Sequence, residues 1–423
     1  MKINEWMIIF DNGSMEEKLT NIFGQKPKDT KQRLKSALYN FVREFGEDGS
    51  LEIISAPGRT EIGGNHTDHQ HGRVLAAAVN MDTLAVVAKN NTDIIKVVSE
   101  DYPLSEVKIS DHTKHPEEVN TTPSLIRGIV NGFSQLGCEV KGFNAYVTST
   151  VLSGSGLSSS AAFEVLIGTI INELFYDKKA TPIEIAQIGQ YAENVYFGKP
   201  CGLMDQMASS MGNMIAIDFK DPKNPIVEPI DFDFASSGHR LCIIDTGADH
   251  ADLTDKYAAI PMEMKQVSQI LGKEFLRDVS EEEFIANIPE IRKSVGDRAV
   301  LRAIHFFADN ARIPDQVQAL RRNDFDLFLK LVKESGRSSY MYLQNIIPSG
   351  YIRHQEVALA LAICEKILGE RGAFRVHGGG FAGTIQAFVP YDMLELFKKG
   401  IEEVFGEGAC HVLSIRPIGG VRL

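Results

Sequence analysis

Ser153-Gly-Ser-Gly-Leu-Ser-Ser-Ser-Ala161 runs directly into an apolar stretch, residues 162–171 (AFEVLIGTII). Glycines at 154 and 156 can adopt backbone angles closed to residues with a side chain, so their amides can turn toward one point. The apolar run predicts a helix, whose start adds unpaired N–H groups and the positive end of the helix dipole. The pattern favours a phosphate-binding loop, with serine hydroxyls for oxygen atoms or a metal ion. A glycine turn with a serine N-cap is the alternative that this stretch alone leaves open.

The composition is that of a globular protein with ordinary proportions of apolar and charged residues. The chain has 423 residues, 43% hydrophobic and 24% charged, enough for a large core in one large domain or two smaller ones. A formal net charge of -12 disfavours a nucleic-acid partner, which would require a basic surface. The five cysteines lack metal-ligand spacing and indicate reduced thiols in the cytoplasm. No run approaches the roughly 18 apolar residues of a membrane span, so no membrane partner is expected.

Apolar spacing predicts mixed α and β structure in the first half of the chain. Helices are predicted at residues 29–45, 123–136, 158–175 and 182–196, with short strands between residues 51 and 98. The polar, proline-containing passage at residues 218–231 is the best candidate for a domain boundary. Beyond it the pattern predicts a strand at 240–245, helices between about 252 and 368, and a strand, glycine turn and strand over 373–389.

Residues 56–69, APGRTEIGGNHTDH, place many different polar groups between two predicted strands. Arg59 is a candidate cation for a phosphate or a reacting oxyanion. Asn65, His66 and Asp68 offer the directional hydrogen bonds that a polyhydroxylated ligand requires. A solvated loop is one alternative. A metal site is the other, although its spacing matches no known signature; its candidate ligands are His66, Asp68, His69 and His71.

Two further stretches contain candidate functional groups. In residues 199–206, KPCGLMDQ, Asp205 lies in small and apolar surroundings just beyond the predicted helix that contains Glu193. A partly desolvated carboxylate near a cation is the usual setting of a catalytic base or electrostatic stabiliser, whereas taken alone Asp205 indicates a helix cap. In residues 375–385, RVHGGGFAGTI, three glycines between predicted strands permit close approach to a ligand or another loop. A simple hairpin turn is the alternative there.

Together, and in this order, the four stretches resemble the galactokinase family of the GHMP sugar and isoprenoid kinases. The family's galactose signature, commonly GRVNLIGEHTDY, is matched by GRTEIGGNHTDH, its phosphate loop by GSGLSSSA, its catalytic stretch by CGLMDQ and its third motif by HGGGFAG. The resemblance implies an α+β, two-domain GHMP kinase fold. The active site is expected in the cleft between an N-terminal mixed-sheet α/β domain, residues 29–225, and a C-terminal ferredoxin-like α+β domain, residues 226–423. Residues 1–28 are expected to be an N-terminal extension.

The resemblance also implies roles for individual residues. Asp205 would orient or deprotonate the anomeric hydroxyl of a sugar, while Arg59 would assist ionisation and stabilise the transferring phosphoryl group. Ser160 and Glu193 match the family's magnesium ligands. Sugar contacts are implied for Asn65, His66, Asp68, Gly202 and Tyr257, the last with a core aromatic as its alternative. ATP phosphate contacts are implied for Gly154, Ser155, Gly156, Leu157, Ser158, Ser159 and Ser160.

Two departures from the galactose signature concern the acceptor. Asn65 stands where the family usually has glutamate, and Glu61 stands where it has asparagine. An amide in place of a carboxylate would remove a repulsive charge from any ligand with its own carboxylate at that point. Galacturonate is therefore an alternative acceptor. N-acetylgalactosamine is a second alternative, which would require space near the 2-position that no residue in the sequence reveals.

The implied activity is ATP- and magnesium-dependent phosphorylation of galactose to galactose 1-phosphate, with a monomer favoured. A sugar-sensing regulator without turnover is the alternative from another class. The intact set of Arg59, Ser160, Glu193 and Asp205 argues against it. A kinase acting on homoserine or mevalonate would leave the HTD and CGLMDQ sequences unexplained.

Overall fold

Two β-sheets and the helices packed on them make up the protein, in a computed structural model that describes residues 1–23, 30–47, 49–100, 102–151, 157–248 and 253–423. The strands are β1 (Glu52–Gly63), β2 (Arg73–Lys89), β3 (Ile94–Ser99), β4 (Ser105–Lys108), β5 (Phe143–Ser149), β6 (Met214–Asp218), β7 (Ile226–Ile230), β8 (His239–Asp245), β9 (Ala373–Val376), β10 (Thr384–Pro390), β11 (Cys410–Leu413) and β12 (Val421–Arg422).

The α-helices are α1 (Ile3–Asp11), α2 (Glu16–Phe23), α3 (Thr30–Phe45), α4 (Thr122–Gln135), α5 (Ser159–Phe175), α6 (Pro182–Tyr191), α7 (Met204–Met211), α8 (Thr254–Ile270), α9 (Glu281–Val295), α10 (Asp297–Arg321), α11 (Phe325–Ser338), α12 (Glu356–Leu368) and α13 (Leu394–Phe405). Two π-helical turns, Ala192–Phe197 and Ser339–Leu343, continue α6 and α11. Such turns occur mostly as single insertions and often near functional sites.

The first sheet is mixed and has the strand order β12-β1-β2-β5-β3-β4. Strand β5 pairs with residues 83–89 of β2, whereas β6 pairs with residues 73–77 of β2. Strand β7 pairs with β6. Strand β2 alone has 17 residues, whereas the apolar pattern predicts short strands in this region. Its pairing with β1 shifts register at Pro57/Arg59 and again at Glu61/Gly63. Because each irregularity changes the direction of the following side chains, the shifts help to direct Arg59 and Glu61 toward the site.

Helices cover both faces of this sheet. On one face, α4, α5 and α6 bury apolar residues such as Ile129, Phe133 and Leu166. On the other, α1 and α2 pack with α3 and bury Trp6 and Phe10. The first 23 residues, for which the sequence indicates no role, are therefore part of the packed structure.

The second sheet is antiparallel and has the order β11-β8-β10-β9. Numbered within this half of the chain, the order is 4-1-3-2, with helices between the first and second strands and between the third and fourth. This is the β-α-β-β-α-β arrangement of ferredoxin-like folds, as expected. A shared apolar cluster joins this half to the first, where Ile62 and Leu75 belong to the same core as Ile313 and Phe388.

The chain changes sheets later than the sequence indicates. Residues 218–231 contain the turn of a hairpin, in which β7 pairs with β6 in the first sheet. A boundary between residues 225 and 226 would divide this hairpin, so the change of sheet follows Ile230. The C-terminal strand β12 also returns to pair with β1 in the first sheet. Both pairings are long-range hydrogen-bond ladders, which a local excess of polar residues and prolines does not reveal. None of the helices in the described ranges has the length and apolar character needed to cross a bilayer.

Candidate functional site

An ion pair between β1 and α7 lies at the centre of the candidate site. Arg59 Nε and Nη2 each lie 2.6 Å from a different carboxylate oxygen of Asp205. Arg59 is only 6% exposed, whereas 27% of the Asp205 side chain remains accessible. Asp205 lies in the first turn of α7, where the helix dipole favours a negative charge. The two hydrogen bonds fix the guanidinium plane of Arg59 relative to the carboxylate plane of Asp205, and they leave one side of the carboxylate accessible.

Both members of this pair stay charged. Burial by itself would raise the pKa of Asp205, but the charge and hydrogen bonds of Arg59 and a hydrogen bond from Ser158 hold that pKa below its usual value. Burial likewise opposes the charge of Arg59, and the neighbouring carboxylates raise its pKa, with Asp205 the largest contributor. The site therefore presents a fixed cation beside a weakly basic carboxylate.

The start of α5 adjoins this pair. The Leu157 carbonyl accepts a hydrogen bond from the Arg59 backbone N–H at 3.2 Å. Ser158, the N-cap residue, has a left-handed φ of 56°, and the Ser160 hydroxyl donates to Glu193 Oε1 at 3.1 Å. Gly154, Ser155 and Gly156 of the predicted phosphate loop lie outside the described residues. The described end of the loop therefore brings the helix start, Arg59 and Asp205 to one point.

A hydrogen bond from Gln206 holds the Glu193 carboxylate in a fixed orientation. Glu193 lies in the first π-helical turn and is 2% exposed. Gln206 Nε2 donates to Glu193 Oε2 at 3.0 Å and to Glu164 Oε2 at 2.9 Å. Glu193 Oε1 is left on the side of Ser160 and of the Lys199 ammonium, which lies 3.5 Å away. The orientation points one carboxylate oxygen toward the start of α5.

Glu164 is a buried part of the site that sequence reasoning missed. It is fully buried on α5, and burial followed by the charge of Glu193 raises its pKa well above the usual value. The available signal was a single carboxylate within an otherwise apolar helical run. Gln206 links this group to Glu193 and directly follows Asp205 in sequence, so one short helix supports both sides of the site.

Asp68 and Gly202, both predicted to contact the sugar, lie in direct contact with each other. A Cβ atom added to Gly202 would lie 1.9 Å from Asp68 Oδ2. Only glycine allows the carboxylate this close to the CGLMDQ segment. Asp68 also contributes to the electrostatic environment of Arg59. The galactose signature and the catalytic stretch thus meet at these two residues.

The triple-glycine segment, residues 378–380, closes the site from the C-terminal half. Each of its three carbonyl groups accepts a hydrogen bond from a predicted sugar-contact residue. The donors are Asn65 Nδ2 to Gly378 at 2.7 Å, His66 Nε2 to Gly379 at 2.9 Å and Tyr257 Oη to Gly380 at 2.8 Å. The third motif therefore holds side chains that the sequence assigned to the ligand.

These contacts determine whether each side chain acts as a hydrogen-bond donor or acceptor. Because the partner of His66 Nε2 is a carbonyl, that nitrogen has the proton and Nδ1 is an acceptor. Burial, with a contribution from His69, lowers the pKa of His66 to about 3, so the ring stays neutral. Burial raises the pKa of Tyr257 to about 12, and its hydroxyl oxygen can also accept. His66, Tyr257 and Asp68 together form a set of acceptors.

Asn65 differs from the other predicted sugar contacts. Its side chain is fully buried and donates to Glu61 Oε1 at 3.0 Å as well as to Gly378.

The alternative metal site in this loop lacks support. His71 stacks on Phe275 with ring centroids 3.6 Å apart, and the described ranges contain no group of three or more His, Cys, Asp or Glu residues placed to hold an ion.

Two family models match the chain. The GHMP kinases N terminal domain matches residues 124–213, which include the start of α5, Glu193 and Asp205. The galactokinase galactose-binding signature matches residues 39–89, which include Arg59, His66 and Asp68. The two models therefore cover the two sides of the candidate site.

Known proteins resemble the chain over most of its length. A galactokinase of Glaesserella parasuis serovar 5 is 32% identical over 365 residues, 86% of this chain and 91% of the relative. A galactokinase of Haemophilus influenzae is 29% identical over 83% of this chain and 88% of the relative. The crystal structure of Lactococcus lactis galactokinase complexed with galactose superposes with a TM-score of 0.79 at 25% identity, covering 92% of this chain and all of the other. A mevalonate kinase shares the fold, with a TM-score of 0.61 at 16% identity. From the site geometry and these relatives together, the chain belongs to the galactokinase family of the GHMP kinases.

Proposed function

We propose that the protein is a galactokinase that transfers the γ-phosphoryl group of ATP to the anomeric hydroxyl of galactose. The observation that supports this most directly is the Arg59–Asp205 ion pair beside the N-terminus of α5. A helix start binds phosphate through its free N–H groups and dipole, and the pair lies where an acceptor hydroxyl would meet the terminal phosphate. A cytoplasmic location and a monomeric state stay predictions.

The residues around the phosphate end fit a magnesium ion. Ser160 Oγ and Glu193 Oε1 lie 3.1 Å apart, and neighbouring ligands about 2.1 Å from an octahedral ion are about 3.0 Å apart. Both are hard oxygen donors of the kind that this ion prefers. Bound by Ser160 and Glu193, the ion would supply positive charge for the β- and γ-phosphate oxygens. The ion would also reduce the repulsion between the Glu193 carboxylate and the triphosphate.

Asp205 orients the acceptor rather than removing its proton early. Its pKa lies below the usual value because Arg59 and Ser158 outweigh burial, so its carboxylate has little proton affinity. It accepts a hydrogen bond from the anomeric hydroxyl and directs the oxygen at the γ-phosphorus. The new P–O bond forms as the bond to the β-phosphate oxygen breaks, ADP leaves, and the hydroxyl proton passes to solvent beside the partly accessible Asp205. Arg59 stabilises the charge on the transferring group.

The acceptor set on the sugar side favours a neutral sugar. His66 Nδ1, the Asp68 carboxylate and the Tyr257 oxygen all accept hydrogen bonds, so their matching partners are hydroxyl groups, which can donate. A uronate carboxylate can only accept, so none of these three acceptors would pair with it, and the Asp68 carboxylate would repel it. This arrangement supports galactose over galacturonate, and Asn65 provides no exposed amide to offset the repulsion.

The test is ADP release by the purified protein with ATP, magnesium and one sugar at a time: galactose, N-acetylgalactosamine, galacturonate, arabinose or glucose. We expect turnover with galactose and little or none with galacturonate. Turnover with galacturonate alone would contradict the proposed acceptor. Sugar binding without any turnover would favour a regulator.

A further inference from the structure

Asn65 is held through its backbone by helix α10. Its N–H donates to Asp309 Oδ2 at 2.9 Å, and its carbonyl accepts from His305 Nε2 at 2.9 Å. Asp309 and His305 are at most 1% exposed. Two serines of α11 hold these side chains in turn. Ser335 Oγ donates to Asp309 Oδ2 at 3.2 Å, and Ser338 Oγ lies 2.8 Å from His305 Nδ1. The peptide groups on both sides of Asn65 are thus fixed by the C-terminal half of the chain.

The side chain of Asn65 is held equally completely. Its amide nitrogen donates to Glu61 Oε1 and to the Gly378 carbonyl, and its oxygen accepts from Asn345 Nδ2 at 2.8 Å and Ser339 Oγ at 3.3 Å. An asparagine side chain can make four such bonds, so its capacity is filled by protein. Residues 339, 345 and 378 all belong to the C-terminal half.

The next residue transmits this placement to the sugar site. His66 has a left-handed φ of 60°, a conformation that costs free energy and that its surroundings must hold in place. Its ring then reaches the Gly379 carbonyl, which also accepts from Asn345 Nδ2 at 3.2 Å. The same network therefore fixes the backbone before His66 and the glycine segment opposite it.

We propose that Asn65 is a positioning residue that makes no contact with the substrate and couples the C-terminal half to the sugar-binding loop. This proposal rests on the proposed function for the identity of the substrate. The network sets the direction in which His66 Nδ1 and Asp68 meet the sugar. Its loss would displace the whole loop rather than a single contact.

The first test compares Asn65→Ala and Asn65→Asp with the wild type on galactose, 2-deoxygalactose and 6-deoxygalactose. Because a small misplacement of binding groups can reduce rates up to about a hundredfold, we expect kcat/KM to fall about ten- to hundredfold for all three sugars by the same factor. The KM for ATP should change little. A variant that selectively alters the preference between sugars would show that Asn65 contacts the hydroxyl concerned, and an unchanged kcat/KM would remove its positioning role.

The matched control is Asn310→Ala. Asn310 is also on α10 and accepts the Arg73 backbone N–H at 2.9 Å, but it does not bond to residues 64–69. Asn310→Ala should leave kcat/KM for each sugar unchanged relative to the KM for ATP.

The second test is hydrogen–deuterium exchange, which needs no turnover and therefore separates this proposal from the proposed function. Asn65→Ala should increase exchange in peptides that contain residues 64–69 and 378–381, whereas Asn310→Ala should not. Equal exchange in both variants would overturn the proposal. If Asn65→Ala does not fold, Ser339→Ala, which removes one bond of 3.3 Å, should produce the same pattern at smaller amplitude, and its absence would count equally against the proposal.

Discussion

Arg59 and Asp205, 146 residues apart in sequence, join through two parallel hydrogen bonds of 2.6 Å each. This pairing makes the carboxylate a fixed acceptor with a pKa below its usual value. In the proposed mechanism the pair would act by positioning charge, which is where phosphoryl transfer gains most of its rate. The consequences of this geometry and of its surroundings can be measured one residue at a time.

Replacing Asp205 with asparagine should reduce kcat by about 10²- to 10³-fold. The amide keeps the shape of the side chain but lacks the negative charge that pairs with Arg59. Nucleotide affinity, measured by titration with ADP, should stay nearly unchanged. The control is Asp218→Asn, at an ion pair with Arg73 and Arg277, for which kcat should be normal. A near-normal kcat in Asp205→Asn would remove Asp205 from its role.

Replacing Glu193 with glutamine should raise the magnesium concentration required for half-maximal rate by about ten- to hundredfold, because a neutral amide is a poorer ligand for a hard cation. The measurement is initial rate against free magnesium at saturating sugar. Chelation of magnesium should abolish turnover in the wild type. Glu184→Gln, in the exposed capping box of α6, is the control and should leave the magnesium dependence unchanged. An unaltered dependence in Glu193→Gln would contradict the assignment.

Replacing Gly202 with alanine should raise the KM for galactose about tenfold. The new Cβ would lie only 1.9 Å from Asp68 Oδ2 and would therefore push the carboxylate out of its position. The KM for ATP should hardly change. A double-mutant cycle with Asp68→Ala tests the cause, because the clash disappears once the carboxylate is removed. Independent, additive effects of the two substitutions on KM would show that Gly202 acts in some other way.

His377 should make the protein less stable as the pH falls below 6.5. Burial, and then the charges of Arg59 and Arg375, hold its pKa well below the usual value despite Asp205, and its Nε2 accepts the Glu61 N–H at 3.2 Å. The unfolded chain then binds more protons than the folded one below pH 6.5, so the free energy of unfolding falls by up to about 1.4 kcal/mol per pH unit for this group.

Denaturant unfolding at pH 7 and pH 5 measures this dependence. His377→Gln should lose less stability between the two pH values than the wild type. His354→Gln, at a side chain 78% exposed, should behave as the wild type does. An identical loss in His377→Gln and the wild type would exclude His377 as a contributor.

Local sequence determined those features that depend on residue type and short-range spacing. The apolar period after Ser158 predicted α5, which begins at Ser159. Arg59 and Asp205 could be named because a cation and a carboxylate in short polar or small-residue motifs are the groups that phosphoryl transfer requires. The order of the four motifs identified the family, which the relatives confirm.

Only the tertiary structure decided which of the candidate groups are already bonded to protein. Asn65 occupies a motif position assigned to the sugar, yet residues up to 313 positions away fill all of its hydrogen bonds. Glu164 looked like part of an apolar helix and proved to share Gln206 with Glu193. Burial and hydrogen-bond direction arise from contacts between distant segments, whereas a local pattern specifies only which residues lie on the same face of a helix or strand. The sequence therefore named the candidate reacting groups, and the packing of the two halves determined how those groups are held and which hydrogen bonds they can accept.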